Sequence, residues 1–96
     1  MTIAEVRRRL PVGTEFTAEF INPVGRAKFG EGQHTSRRRV TKQSAREMVS
    51  LFLDGPKEGK EIFLGWKNTK AREEDGSIIF TMTDTGSPQD FLKITI

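Results

Sequence analysis

The sequence predicts a small, mainly β protein: a curled sheet or small barrel of five or six short antiparallel strands, with a short N-terminal helix. Three observations predict this class. The chain has 96 residues, enough for one domain spanning 1–96. Several segments alternate apolar and polar residues with the period-two pattern of strands. Turn signals separate these segments at about ten-residue intervals, as in small barrels.

The first ten residues predict the helix. Thr2 and Glu5 have the spacing of a capping box, in which each side chain satisfies a backbone N–H near the start of a helix. Ile3, Val6 and Leu10 recur at helical spacing. Pro11 disfavours helical backbone at the residue before it. We therefore expect a helix over 2–10 that covers one open end of the sheet.

The next segments predict a strand and then a loop. Phe16, Ala18 and Phe20 alternate with polar residues, which indicates a half-buried strand that ends at Asn22. Residues 23–36 hold three glycines and few apolar side chains, so we expect a flexible basic loop there.

The segment 43–53 fits two structures. Ser44 and Glu47 repeat the capping-box spacing, and a helix at about 44–53 would bury one apolar face. Val49, Leu51 and Leu53 instead alternate as a strand does, and they precede a turn signal at Asp54. We favour the strand for residues 48–53, because the segment that follows also has strand character.

The C-terminal half contains the clearest hairpin. Asp75 and Gly76 suit a type I′ turn, which requires positive φ at both central residues. Apolar residues alternate before and after this turn and again in the last six residues of the chain. The expected architecture is thus an SH3- or OB-like barrel, or an open curled sheet of similar size.

Composition argues against several kinds of chemistry. The chain has no cysteine, so disulfides and thiolate chemistry are excluded. The single histidine, His34, lies in the glycine-rich loop, where a surface role is the ordinary one. The acidic run from Glu73 to Asp75 fits a solvated hairpin tip better than a metal site, because neighbouring strand residues point to opposite faces. We expect a cytoplasmic, non-enzymatic protein with no cofactor, no metal and no membrane partner.

Charge is unevenly distributed along the chain. Residues 1–48 hold ten basic and five acidic residues, a net +5, whereas residues 49–96 hold six basic and eight acidic, a net −2. The window 26–46 holds seven basic residues and one acidic residue, a net +6. A local positive field of this kind is typical of proteins that bind nucleic acid or another polyanion.

The window supplies the candidate site residues. Arginine suits phosphate because its planar guanidinium donates two parallel hydrogen bonds. An exposed aromatic ring could stack on a base. The predicted function is a nucleic-acid-binding module with weak sequence specificity for DNA or RNA. Its candidate contact residues are Arg26, Lys28, Phe29, Arg37, Arg38, Arg39 and Lys42.

A second function fits the same residues. A basic strand face could dock on an acidic protein surface, as a phage- or plasmid-type accessory or inhibitor protein would do. A protein with unpaired strand edges could also recruit a partner by strand addition, and the same edge could pair two copies into a dimer. Solvated arginines on an edge strand, which protect against aggregation, are the simplest alternative to both functions.

Overall fold

The computed structural model describes residues 1–22, 35–83 and 86–96. These residues form one short helix and seven strands. The seven strands all belong to one antiparallel sheet. The elements in chain order are α1 (Ile3–Arg9), β1 (Glu15–Phe20), β2 (Thr35–Gln43), β3 (Glu47–Phe52), β4 (Glu61–Gly65), β5 (Thr69–Glu74), β6 (Ser77–Met82) and β7 (Gln89–Thr95).

The strand order is β4-β3-β2-β1-β7-β6-β5, so two meanders meet where β1 pairs with β7. Strands adjacent in sequence are also adjacent in the sheet, except β4 and β5, which form its two edges. The predicted class is therefore confirmed: the protein is mainly β, with a curled sheet and a short N-terminal helix. The sheet does not close into a barrel.

The twist of the sheet explains how its two edges are joined by so short a connection. Antiparallel alternation gives β4 and β5 the same nominal direction, which in a flat sheet would separate the end of β4 from the start of β5. Twist of about 20–25° per strand pair accumulates to about 120–150° over six pairs. The two edges can then meet at a tight turn, in which Thr69 N donates to Trp66 O at 3.1 Å.

Helix α1 forms where the sequence predicts it. The Thr2 side chain accepts from Glu5 N, and the Glu5 carboxylate accepts from Thr2 N, each at 3.1 Å. Val6 and Leu10 are fully buried against a core that also contains Phe16 and Phe80. The helix thus contributes its apolar face to the interior of the curled sheet, and it lies against β5.

The strand count differs from the expected five or six. The additional strand is β2, whose inward-facing positions are Ser36, Arg38, Val40 and, after a bulge, Gln43. Three of these four residues are polar, so the period-two pattern of hydrophobicity is hidden in the sequence. Thr35 and Ser36 belong to this strand rather than to the predicted loop 23–36, and the rest of that loop lies outside the described residues.

Segment 43–53 contains a strand, as we favoured, and the helical alternative is wrong. β3 runs from Glu47 to Phe52. Ser44 does not cap a helix; its hydroxyl accepts from Arg46 N and Glu47 N at 3.2 Å each, and its own N–H donates to Glu47 O. The capping-box spacing therefore builds the turn between β2 and β3.

The hairpin β5–β6 has the predicted turn. Asp75 and Gly76 have φ values of 51° and 81°, so both central residues take the left-handed conformation that a type I′ turn requires. The turn fixes the register of β5 against β6, with Ala71 opposite Phe80 in the core.

Candidate interaction surface

Strand β2 separates the three consecutive arginines between the two faces of the sheet. Arg37 and Arg39 project from the outer face, and Arg38 projects into the interior, as the alternation of a strand requires. Arg38, a candidate contact residue, is therefore separated from its two neighbours. It is deeply buried, with only 3% of its surface exposed.

A bulge in β2 returns Lys42 to the outer face. Strict alternation from Arg39 would point Lys42 inward, but the register shifts between Val40 and Lys42. Lys42 consequently pairs with Val49 on the outer face, and its side chain is 62% exposed. Arg37, Arg39 and Lys42 therefore share one surface, and the sequence pattern gave no sign of the bulge that produces it.

Carboxylates on the neighbouring strands compensate these basic groups. Arg39 Nη2 lies 3.4 Å from Glu15 Oε2, and Arg37 Nη2 lies 3.9 Å from Glu15 Oε1. Lys42 Nζ lies 3.7 Å from Glu47 Oε1. The outer face of β2 therefore carries mixed charge where the linear sequence shows a basic cluster. The pairs are solvent-exposed, so each contributes about 0–1 kcal/mol and is easily exchanged for another partner.

Arg38 lies between two aromatic rings in the interior. Its Cζ is 5.2 Å from the centroid of Phe20 and 4.6 Å from that of Phe52, at distances typical of cation–π contacts. Nε donates to Ser36 Oγ at 2.9 Å, and among the described residues Nη2 has no hydrogen-bond partner. Burial lowers the pKa of Arg38 to about 10. Because Arg38 projects into the interior, its guanidinium cannot contact a phosphate bound at the outer face.

An exposed phenylalanine lies in the middle of the edge strand. Phe63 is 66% exposed and occupies the outer face of β4, directly opposite Val49 of β3. Val49 is itself buried, and its cross-strand neighbours are Lys42 on one side and Phe63 on the other. Glu61, on the same face of β4, accepts a hydrogen bond from Thr41 Oγ1 at 3.1 Å. We call Arg37, Arg39, Lys42, Val49, Leu51, Glu61 and Phe63 the β2–β4 outer face.

Other aromatic residues differ in their exposure. Trp66 is buried, and its Nε1 donates to Ser44 O at 3.0 Å. Phe91 is also buried, in contrast to Phe63. The predicted stacking residue Phe29 lies outside the described residues, as do Arg26, Lys28 and His34.

Three acidic side chains elsewhere, Glu73, Glu74 and Asp90, are paired with arginines. Glu73 Oε2 lies 2.6 Å from Arg9 Nη1, and Glu74 Oε2 lies 3.2 Å from Arg72 Nε, so the two glutamates diverge as predicted. Arg72 also donates two hydrogen bonds to Asp90, at 2.8 and 2.7 Å. These bonds, together with one from Thr81, lower the pKa of Asp90 to about 2. Asp90 is thus ionised at neutral pH and stabilised as an anion.

No group of three or more His, Asp or Glu residues able to hold a metal ion occurs within 1–22, 35–83 and 86–96. Over those same ranges, no helix has the length and apolar character needed to cross a membrane. Comparison of the chain with protein-family models, with curated proteins and with solved structures found no match. Inferences about function therefore rest on the geometry of this chain.

Proposed function

We propose that the protein is a non-enzymatic protein-interaction module that binds its partner through the β2–β4 outer face. The observation that carries this proposal is Phe63, a large apolar side chain that is 66% exposed in the centre of a strand. Aromatic side chains anchor protein interfaces, because they bury a large area at a low entropic cost.

The residues around Phe63 have the composition of an interface. Arginine is enriched at protein interfaces, and a rim of charged groups of both signs selects partners by electrostatic complementarity. Arg37 and Arg39 share the Glu15 carboxylate, and Lys42 lies near Glu47, so positive and negative groups alternate around the apolar centre. This mixed pattern fits a protein partner better than the uniformly negative backbone of a nucleic acid.

The position of Phe63 also supports binding by strand addition. β4 is an edge of the sheet, and an edge strand offers unpaired N–H and C=O groups to an extended partner segment. Its five residues contain no proline and no lysine, two residues that commonly protect edges. The anchoring side chain of Phe63 and the available backbone groups of β4 therefore lie on the same strand.

Substitution of Phe63 tests the proposal. Immobilised full-length protein should capture a specific partner from an extract of the organism that encodes it, identified by mass spectrometry. Phe63→Ala should weaken that interaction by about 30-fold or more, as expected for an anchor residue worth 2 kcal/mol or more. Val12→Ala is the matched control, because Val12 is 63% exposed and lies outside the β2–β4 outer face. Equal capture by the wild type and Phe63→Ala would contradict the proposal.

Binding of nucleic acid is the second candidate function, and one observation favours it. Arg37 and Arg39 are each nearly half exposed and lie on one face, so a phosphate could replace Glu15 as their partner. Phosphate contacts would supply most of the affinity, and counterion release would make binding steeply dependent on salt.

A salt titration of oligonucleotide binding, followed by anisotropy, tests this second function. The double substitution Arg37→Ala and Arg39→Ala should weaken binding and flatten the salt slope by about 2, one for each lost phosphate contact. The control double variant, Arg8→Ala and Lys70→Ala, removes the same charge from exposed positions outside the β2–β4 outer face. If the wild type does not bind single-stranded or duplex oligonucleotides even at low salt, this candidate is rejected.

A further inference from the structure

The direction of the backbone groups along β4 determines which of them face the open edge. At the two ends of the β3–β4 ladder, Phe52 N donates to Lys60 O and Trp66 N donates to Arg46 O, both at 2.9 Å. Hydrogen-bonded and non-hydrogen-bonded pairs alternate along an antiparallel ladder. In the observed register, Ile62 and Leu64 therefore direct their backbone groups toward β3.

The intervening residues, Glu61, Phe63 and Gly65, direct their N–H and C=O groups away from β3. Of these groups, Gly65 O accepts a hydrogen bond from Thr69 Oγ1 at 2.9 Å. A carbonyl oxygen has two lone pairs, so this bond leaves one acceptor position. The outward groups thus form a short template, with Phe63 at its centre and one residue on either side.

The opposite edge of the sheet differs from β4. Helix α1 lies against β5, and Arg9 of the helix forms an ion pair at 2.6 Å with Glu73 of that strand. Helix α1 thus contacts the inner face of β5, whereas in the part of the chain that the structure describes β3 is the element that packs against β4, and the outer edge of β4 is open.

We propose that the β4 edge pairs with the β4 edge of a second copy of this chain, forming a twofold-symmetric dimer centred on Phe63. This inference rests on the proposed function, and it names the partner of that surface. An antiparallel pairing of identical strands is self-complementary only around a central residue, and here the central residue has outward backbone groups. Phe63 would exchange both backbone hydrogen bonds with Phe63 of the second copy.

The side chains are complementary in this register. The two Phe63 rings lie opposite each other on the outer face, where cross-strand aromatic pairs stabilise a sheet. Glu61 lies opposite Gly65 of the second copy, so no like charges face each other. Lys67 lies in the turn that follows Gly65, so each copy adds a positive charge at the strand end that meets Glu61 of the other copy.

The symmetry limits assembly through β4 to two copies. The interface is isologous, because the same strand contributes from both sides, and pairing consumes the β4 edge of each copy. The two curled sheets would join into one continuous sheet through β4. The β2–β4 outer faces of both copies would then lie side by side, with a pair of aromatic rings at the centre.

Sedimentation of the full-length protein over a wide concentration range tests the inference. A short strand-addition interface is small, so we expect a reversible dimer with a Kd in the micromolar range. Phe63→Lys should raise the Kd at least tenfold, because it removes the aromatic pair and brings two like charges together. Val12→Lys, at an equally exposed position, should leave the Kd unchanged. Circular dichroism confirms that both variants are folded.

A charge exchange within one chain distinguishes self-association from docking of a different protein. Glu61→Lys alone should weaken the dimer, because it adds a second positive charge at the strand end that carries Lys67 of the second copy. Adding Lys67→Glu to the same chain should restore dimerisation. In a dimer of identical copies, both exchanged charges are carried by one sequence, whereas a different partner protein would keep its own charges. A wild-type protein that stays monomeric at millimolar concentration overturns the dimer. Partner capture that depends on Phe63 would still hold in that case, so the proposed function and the dimer fail separately.

Discussion

Arg38 shows how far the environment of one residue can depart from what its neighbours in sequence indicate. It lies between two surface arginines, yet its guanidinium is enclosed by Phe20 and Phe52. Removing a guanidinium from water costs several kcal/mol, and an unpartnered buried N–H adds about 1–3 kcal/mol. Two desolvated cation–π contacts return about 2 kcal/mol each, and the bond to Ser36 contributes more. The opposing contributions are therefore of similar size.

This near-cancellation predicts the effect of two substitutions. Arg38→Met keeps a long, flexible side chain between the rings, so we expect the free energy of unfolding to change by less than about 1 kcal/mol. Arg38→Ala leaves a cavity between Phe20 and Phe52 and should lower the free energy of unfolding by about 2–4 kcal/mol. Chemical denaturation followed by Trp66 fluorescence measures both values. A loss of more than 2 kcal/mol in Arg38→Met would mean that the charge itself stabilises the fold.

Individual strands and turns were predictable to the extent that apolar residues mark their inner face. β1 and the β5–β6 hairpin follow directly from alternation and from the Asp75–Gly76 turn. β2 was obscured because Ser36 and Arg38 occupy positions where an apolar residue is usual. Its bulge leaves no mark in the sequence, since a bulge depends on pairing with a partner strand.

The two capping-box spacings show why a local motif is not sufficient to predict an element. Thr2 and Glu5 cap a helix whose apolar face has a core to cover. Ser44 and Glu47 have the same spacing, but the residues that follow pair with two neighbouring strands. The serine hydroxyl binds nearby N–H groups in both a cap and a turn, so tertiary pairing decides which one forms.

The candidate surface was only partly predictable for a related reason. Once residues 37–39 are known to form a strand, alternation alone puts Arg37 and Arg39 on one face and Arg38 on the other. It could not indicate that Glu15 lies across from Arg39, because that contact depends on the register between β1 and β2. A basic cluster in the linear sequence therefore becomes a surface of mixed charge in the folded protein.

At the scale of the whole molecule, one core joins the helix to both meanders. Leu10 follows α1, Phe16 lies in β1 and Phe80 lies in β6, and all three belong to the same buried cluster. The stack of Trp66 on Phe80, with ring centroids 6.0 Å apart, connects the turn between the sheet edges to this cluster. A small domain with a single core unfolds cooperatively, so damage at the helix should be transmitted to Trp66.

Leu10→Ala tests this cooperativity. Leu10 is fully buried, so its truncation should lower the free energy of unfolding by about 2–5 kcal/mol. Far-ultraviolet circular dichroism and Trp66 fluorescence should report the same lowered midpoint of denaturation, because the helix and the sheet unfold together. Arg8→Ala is the control on the exposed face of the same helix and should change stability by less than about 0.5 kcal/mol. If the Trp66 transition kept its wild-type midpoint in Leu10→Ala, the helix would be a peripheral element, and the curled sheet would be stable without it.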